Sequence, residues 1–295
     1  MHTLIYTRSK FLDLLDNRLE LFKYSIIRYG YNVKDICKMA EDCDSFNEFA
    51  NQIIKGTLRK SKKSIWIEKS PSNCRYIKSF KDFFPNGKYI HVVRDGRDCA
   101  ISLVKRGWTL ENAVRRWLYD TLCGVPFRGD KNYIEIKYED LVTNPSGILL
   151  KLYQFIDVEI IDFDSLNISN DFSDKYQKTM NGITFYSEYK KSWNYNPTDK
   201  ISDQGISNWK KVESSFLHKM ERLFKFMYVS KEVRNELQIK SEMNSNHALK
   251  LFGYDFKDGW NSNIGIDLYI IYFSVRSLFL NIIRKNRYVC TLRIL

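Results

Sequence analysis

KYIHVVRDGRDCAISLVKRGW, residues 88–108, changes rhythm halfway along. Lys88–Arg94 is a compact, β-branched run with the look of a buried parallel strand. Asp95-Gly96 makes a turn, and Arg97–Arg106 continues as a helix. Arg94 then stands at the C-terminal end of a strand, where open α/β sheets place their ligands. Ser102 comes eight residues later and Arg106 four beyond it, so a helix beginning near Arg97 puts both on one face. Two guanidinium groups and a hydroxyl beside a helix N-terminus suit a phosphate dianion, because arginine offers forked donors that match its oxygens. The same spacing fits a structural alternative in which Arg94 and Asp95 or Asp98 form ion pairs that cap the helix. Spacing alone leaves the two readings level.

The flanking sequence repeats the strand–helix alternation. Ser64–Glu68 (SIWIE) is a short apolar run closed by Ser70-Pro71, and a helical stretch from about Asn73 to Phe84 is stopped by Pro85-Asn86-Gly87. A second helix runs from about Thr109 to Cys123, Tyr133–Tyr138 (YIEIKY) is a further strand, and a helix starts near Pro145 and reaches Ile156. Before all of these, residues 11–60 read as helices, with Leu12, Leu15, Leu19, Phe22 and Ile26 at three- and four-residue spacing. From residue 160 to about Lys211 the pattern loosens into polar loop, and helical periodicity returns through Phe226. Strands alternating with helices predict an α/β fold with a parallel sheet covered by helices.

Composition supports a packed core and narrows the chemistry. Of 295 residues 44% are hydrophobic and 15% aromatic, which disfavours wholesale disorder. The formal charge of +12 is spread along the chain, so it fits a polyanionic small molecule, nucleic acid or anionic lipid alike. The six cysteines include no C-x-x-C pair and the four histidines no H-x₃₋₅-H pair, so no zinc or other metal is expected. Reduced thiols and the lack of a signal-like h-region point to the cytoplasm. Ile264–Ile283 has membrane-spanning length but contains Asp267 and Arg276, each costing about 2.5–3.5 kcal/mol near a bilayer centre. The expectation for 264–287 is a helix packed on the domain or lying on a membrane surface.

At this point a resemblance enters. The run V-R-D-G-R-D-C-A-I-S-L resembles the 3′-phosphate-binding motif of the sulfotransferases that use 3′-phosphoadenylyl sulfate. The resemblance implies that Arg94 and Ser102 hold the 3′-phosphate of the donor, with Arg106 matching a further arginine that some members use. Trp66–Ser72 (WIEKSPS) resembles the family's E-K-[ST]-P segment, which gives Lys69 the place facing the reacting sulfate. Ile136–Pro145 (IKYEDLVTNP) resembles the Y-E-D-L-x-x-x-P segment and sets Tyr138 against the nucleotide. Ile206–Lys211 (ISNWKK), followed by Leu251–Tyr254 (LFGY), resembles the C-terminal segment that closes over the donor, which puts Trp209, Lys210 and Lys211 near it. Asn112 and Trp117 resemble positions that pack the wall of the site. The four segments keep the family's order across roughly residues 64–256.

The resemblance implies a P-loop-NTPase-like parallel sheet flanked by helices, in one domain over 1–260 with 1–60 as its helical N-terminal part. Residues 261–295 follow as a hydrophobic, basic helical tail. It also implies sulfonate transfer without a metal from 3′-phosphoadenylyl sulfate to a hydroxyl or amine acceptor, with no nucleic-acid partner. One part of the pattern is unmatched: nothing fits the family's glycine-containing 5′-phosphosulfate loop well. The nearest candidate, Leu4–Ser9 (LIYTRS) with Lys10, has no glycine to let the backbone approach a phosphate. The first strand and loop are therefore expected to be missing or degenerate, and the alternative reading is an inactive or truncated relative that binds nucleotide weakly or serves as an interaction module. A P-loop kinase is disfavoured by the lack of G-x-x-x-x-G-K-[ST].

Overall fold

The computed structural model describes residues 31–159, 203–254 and, for the backbone, 290–292. The helical stretch expected through Leu12–Ile26, the candidate loop Leu4–Ser9 and the hydrophobic stretch 264–287 lie outside the described residues. The chain divides into two compact units, Met1–Ser70 and Pro71–Leu295. Among the described residues no helix is long and apolar enough to cross a membrane.

In the first unit two helices fold together, α1 (Val33–Asp42) and α2 (Phe46–Ser61). Each begins at a side-chain cap. Asn32 accepts from the Asp35 N–H in a reciprocal capping box, and Ser45 accepts from the Glu48 N–H. Their shared core is Tyr31, Ile36, Ala40, Cys43 and Phe49. Gly56 is required in α2, because a Cβ there would stand 1.8 Å from the Tyr31 hydroxyl. Beyond α2, Ser64–Ser70 takes no regular structure, and Ile65 and Ile67 are exposed. The SIWIE run thus forms no strand among the described residues, which leaves two of the three strands the alternation predicts. β-propensity alone does not make a strand, since each strand needs a hydrogen-bonded neighbour.

The second unit contains the parallel pair. After a 3₁₀ turn (Asn73–Tyr76) and α3 (Ile77–Phe83) comes β1 (Tyr89–Val93), then α4 (Gly96–Val104), α5 (Leu110–Leu122) and β2 (Tyr133–Lys137). β1 and β2 pair in parallel register from Tyr89 with Tyr133 to Val93 with Lys137, so α4 and α5 form the crossover that parallel pairing requires. This is an α/β fold. Val93 is buried, but Ile90 and Val92 are 43% and 48% exposed, so β1 is covered on one face rather than on both as its unbroken apolar run predicts.

After β2 come α6 (Tyr138–Thr143) and α7 (Pro145–Ile156), which opens with Pro145 in its first turn and Asn144 as cap. Later in the chain α8 (Ser214–Phe226) runs straight into β3 (Met227–Val229), followed by α9 (Lys231–Glu236) and α10 (Ser245–Leu251). In the 261–295 tail, expected to be helical, the described residues Cys290–Leu292 form a strand, β4, antiparallel to β3. The core of the unit is built around α5. Its Ala113, Val114, Leu118 and Leu122 are fully buried against Phe224, Met220, Leu249 and Val93.

Candidate functional site

The Asp95-Gly96 turn between β1 and α4 is made by local chemistry. Asp95 caps α4 by accepting from the Arg97 N–H, and its carboxylate pairs with the Arg97 guanidinium at 2.6 Å. Both side chains are buried, so the charges compensate each other. Gly96 admits the Trp117 ring, whose atoms would lie 2.6 Å from a Cβ at that position. Trp117 in turn donates its indole N–H to the Arg94 carbonyl at 3.0 Å, fixing the strand end on α5.

The ion pair expected for Arg94 as a structural residue is therefore made by Arg97. Arg94 has no carboxylate within ion-pair distance among the described residues. One of its terminal nitrogens donates to the Gly205 carbonyl at 2.5 Å, and its guanidinium lies over the Tyr138 ring at 4.6 Å. Its Nε is buried without a hydrogen-bond acceptor among the described residues. Tyr138 opens α6 rather than closing a strand, which turns its ring toward Arg94.

Ser102 lies in the last turns of α4, and Arg106 just beyond the helix end donates to the Ser102 hydroxyl at 3.3 Å. The four-residue spacing brings the two together as expected, with Arg106 exposed to solvent. The loop from Asp203 to Lys211 returns to this region from far along the chain. Trp209 is 7% exposed, with Arg97 over its ring at 3.8 Å and Lys210 at 5.4 Å. Trp209 thus packs into the protein, while Lys210 and Lys211 are exposed. Lys69 belongs to the first unit and is exposed there, one residue from a hydrogen bond between Ser70 and Glu68.

Two acidic residues organise this region in ways the sequence did not show: Asp98, read there only as a possible ion-pair partner of Arg94, and Glu139. Asp98 accepts from the Ser207 N–H at 2.8 Å and the Trp209 N–H at 2.9 Å. Burial pushes its carboxyl above the usual range, against the pull of those two N–H groups. Glu139 accepts from the Asp95 N–H at 3.0 Å and from the Tyr254 hydroxyl at 2.7 Å, joining the turn to the leucine-phenylalanine-glycine-tyrosine ending. Burial first, then the Glu139 carboxylate, raises the Tyr254 phenol well above its ordinary value and keeps it a donor. The Y-E-D signature contains Glu139, but its partners lie 44 and 115 residues away. Burial pushes the Cys99 thiol up to about 12, which keeps it protonated at neutral pH.

With this geometry in place, comparison with known proteins is informative. A model of the sulfotransferase family matches residues 8–162, more than half of the chain. The match starts within the T-R-S stretch that is the nearest candidate for the phosphosulfate loop. Protein-tyrosine sulfotransferase A of Caenorhabditis elegans is 28% identical over 104 residues, which is 30% of this chain and 27% of that protein. The chain thus spans about a quarter of the length of that curated relative. Among solved structures, a sulfotransferase domain from the curacin biosynthetic pathway aligns with a TM-score of 0.40 and 15% identity over 79% of this chain and 78% of that one. The sulfotransferase domain of the Synechococcus PCC 7002 olefin synthase aligns with a TM-score of 0.36 and 18% identity over 72% and 65%. The family match over more than half of the residues, spanning the strand–turn–helix that carries Arg94, Ser102 and Arg106, establishes that this chain belongs to the sulfotransferase family.

Proposed function

We propose that this chain transfers a sulfonate group from 3′-phosphoadenylyl sulfate to a hydroxyl or amine acceptor. Arg94, Ser102 and Arg106 take the 3′-phosphate of the donor, Tyr138 lies against its nucleotide, and the segment with Trp209, Lys210 and Lys211 closes over it. The acceptor oxygen or nitrogen bonds to sulfur as the bond from sulfur to the bridging phosphate oxygen breaks, and a base takes the acceptor's proton. Lys69, placed by the resemblance of its segment, offsets negative charge on the transferring group. Anchoring the remote end of the donor holds the reacting bond in place.

The observation that carries this reading is Arg94. Among the described residues it stands at the strand end with no carboxylate partner and with a buried Nε lacking an acceptor, its guanidinium already oriented by Gly205 and Tyr138. A buried donor without an acceptor is unfavourable by about 1–3 kcal/mol, and an anionic oxygen relieves that penalty. The fit extends to Ser102 and Arg106, which meet on the exposed side of α4.

Calorimetric titration with adenosine 3′,5′-bisphosphate tests the reading, alongside an Arg94→Ala, Ser102→Ala double variant. Micromolar binding that the variant loses supports the site. A well-folded wild-type protein that binds no nucleotide refutes it.

A further inference from the structure

We infer that Asp98 is a positioning residue for donor binding: through the 203–211 loop it sets the orientation of Arg94 without touching the nucleotide. The inference rests on the nucleotide reading above. Asp98 is 2% exposed, and each of its carboxylate oxygens takes one N–H from the same loop, 109 and 111 residues away in sequence. A buried carboxylate is a costly way to stabilise a protein, since a well-packed apolar group often does as well or better. What it supplies is geometry: two N–H groups two residues apart are held at fixed positions on α4.

The loop needs that hold. Ser207 has φ 57° and ψ 24°, a left-handed conformation that a residue with a Cβ adopts at a cost in free energy. Asp98 accepts from the N–H of this strained residue and from that of Trp209 beyond it. Arg97 stacks on the Trp209 ring at 3.8 Å and holds the loop's far end. Two residues before Ser207, the Gly205 carbonyl accepts from Arg94 at 2.5 Å. The path therefore runs from Asp98 to the Ser207 turn, to the Gly205 carbonyl, to the Arg94 guanidinium. A loop that relaxes at Ser207 carries the Gly205 carbonyl with it and releases Arg94 from its setting over Tyr138.

The test combines backbone amide hydrogen exchange with the affinity for adenosine 3′,5′-bisphosphate, in wild type, Asp98→Asn and Asp98→Asn, Ser207→Gly. An asparagine accepts through one oxygen only and turns its NH₂ toward the second N–H. Asp98→Asn is expected to lose exchange protection at Ser207 and Trp209 and to bind nucleotide tenfold or more weakly while remaining folded. Ser207→Gly removes the left-handed penalty, so the double variant is expected to regain part of the lost affinity, with all affinities compared under conditions where urea melts show each protein fully folded. Unchanged protection in Asp98→Asn overturns the inference, and so does unchanged affinity. A wild-type protein that protects both amides yet binds no nucleotide instead overturns the nucleotide reading on which the inference rests.

Discussion

Arg94 leaves the end of β1 with one nitrogen on the Gly205 carbonyl and Nε buried without an acceptor among the described residues. Its setting depends on a residue that has no side chain. A Cβ at Gly205 would stand 2.8 Å from the Tyr138 hydroxyl and 3.1 Å from a terminal nitrogen of Arg94. Gly205→Ala must therefore displace one or both, with little effect on the core, because the loop around it is only half-buried. Its affinity for adenosine 3′,5′-bisphosphate is expected to fall about tenfold, equivalent to about 1.4 kcal/mol, with an unchanged urea midpoint. Equal affinity in the two proteins would show that the Arg94 guanidinium does not need its present position. The Arg94 side chain was legible in the sequence as a strand-end arginine. That no carboxylate among the described residues pairs with it was not, because Asp95 and Asp98 both lie within four residues of it, and only packing assigns Asp95 to Arg97.

At the scale of elements, β1 and β2 share a polar side-chain contact. His91 Nδ1 lies 2.7 Å from the Tyr133 hydroxyl, which also reaches Glu135, itself paired with Arg128 at 2.7 Å. Burial lowers the proton affinity of His91 below its ordinary value of 6.5; Glu135 and Asp120 pull it back, and Arg128 pushes it further down. The folded state thus favours the neutral ring, and the unfolded chain binds the proton more readily. The contribution of His91 to stability is complete above the ordinary histidine value and is lost as pH falls through the lower folded value. Urea midpoints of wild type and His91→Phe, taken from pH 8 to pH 5, are expected to differ most at the alkaline end and to converge on acidification. A gap that is constant across the range would mean that His91 does not titrate differently on folding. In the sequence His91 reads as a structural residue in mid-strand, but the Tyr133 partner comes from the parallel pairing, which sets His91 beside Glu135, 44 residues on, and leaves Tyr133 diagonally next to it.

For the whole molecule, the excess of 47 basic over 35 acidic residues is dispersed, so its effect on a dianionic ligand is a field rather than a contact. Binding of adenosine 3′,5′-bisphosphate is expected to weaken as salt rises, since the Debye length shrinks from about 10 Å at 0.1 M to about 3 Å at 1 M. The part of the affinity that survives high salt measures the short-range contacts of Arg94, Ser102 and Arg106. Ligand at 100 times its dissociation constant adds about 2.7 kcal/mol to folding stability, read as a rise in melting temperature. The Arg94→Ala, Ser102→Ala protein should show neither the rise nor the salt dependence. A rise that persists in that variant would place the nucleotide elsewhere.

The alternation of β-branched runs with helical spacing determined by itself that this is an α/β chain with Arg94 at a strand end, because strand and helix periods are properties of local sequence. It also placed Ser102 and Arg106 on a common face, since four residues make about one helical turn. Tertiary structure decided what no local pattern carries. The apolar run Ser64–Glu68 forms no strand among the described residues, because a strand exists only with a hydrogen-bonded neighbour. Trp209 is packed into the protein, because the Arg97 guanidinium stacks on its ring. Asp98 and Glu139 hold the loop and Tyr254, because a buried carboxylate takes whatever donors folding brings to it, and those donors come from 44 to 115 residues away.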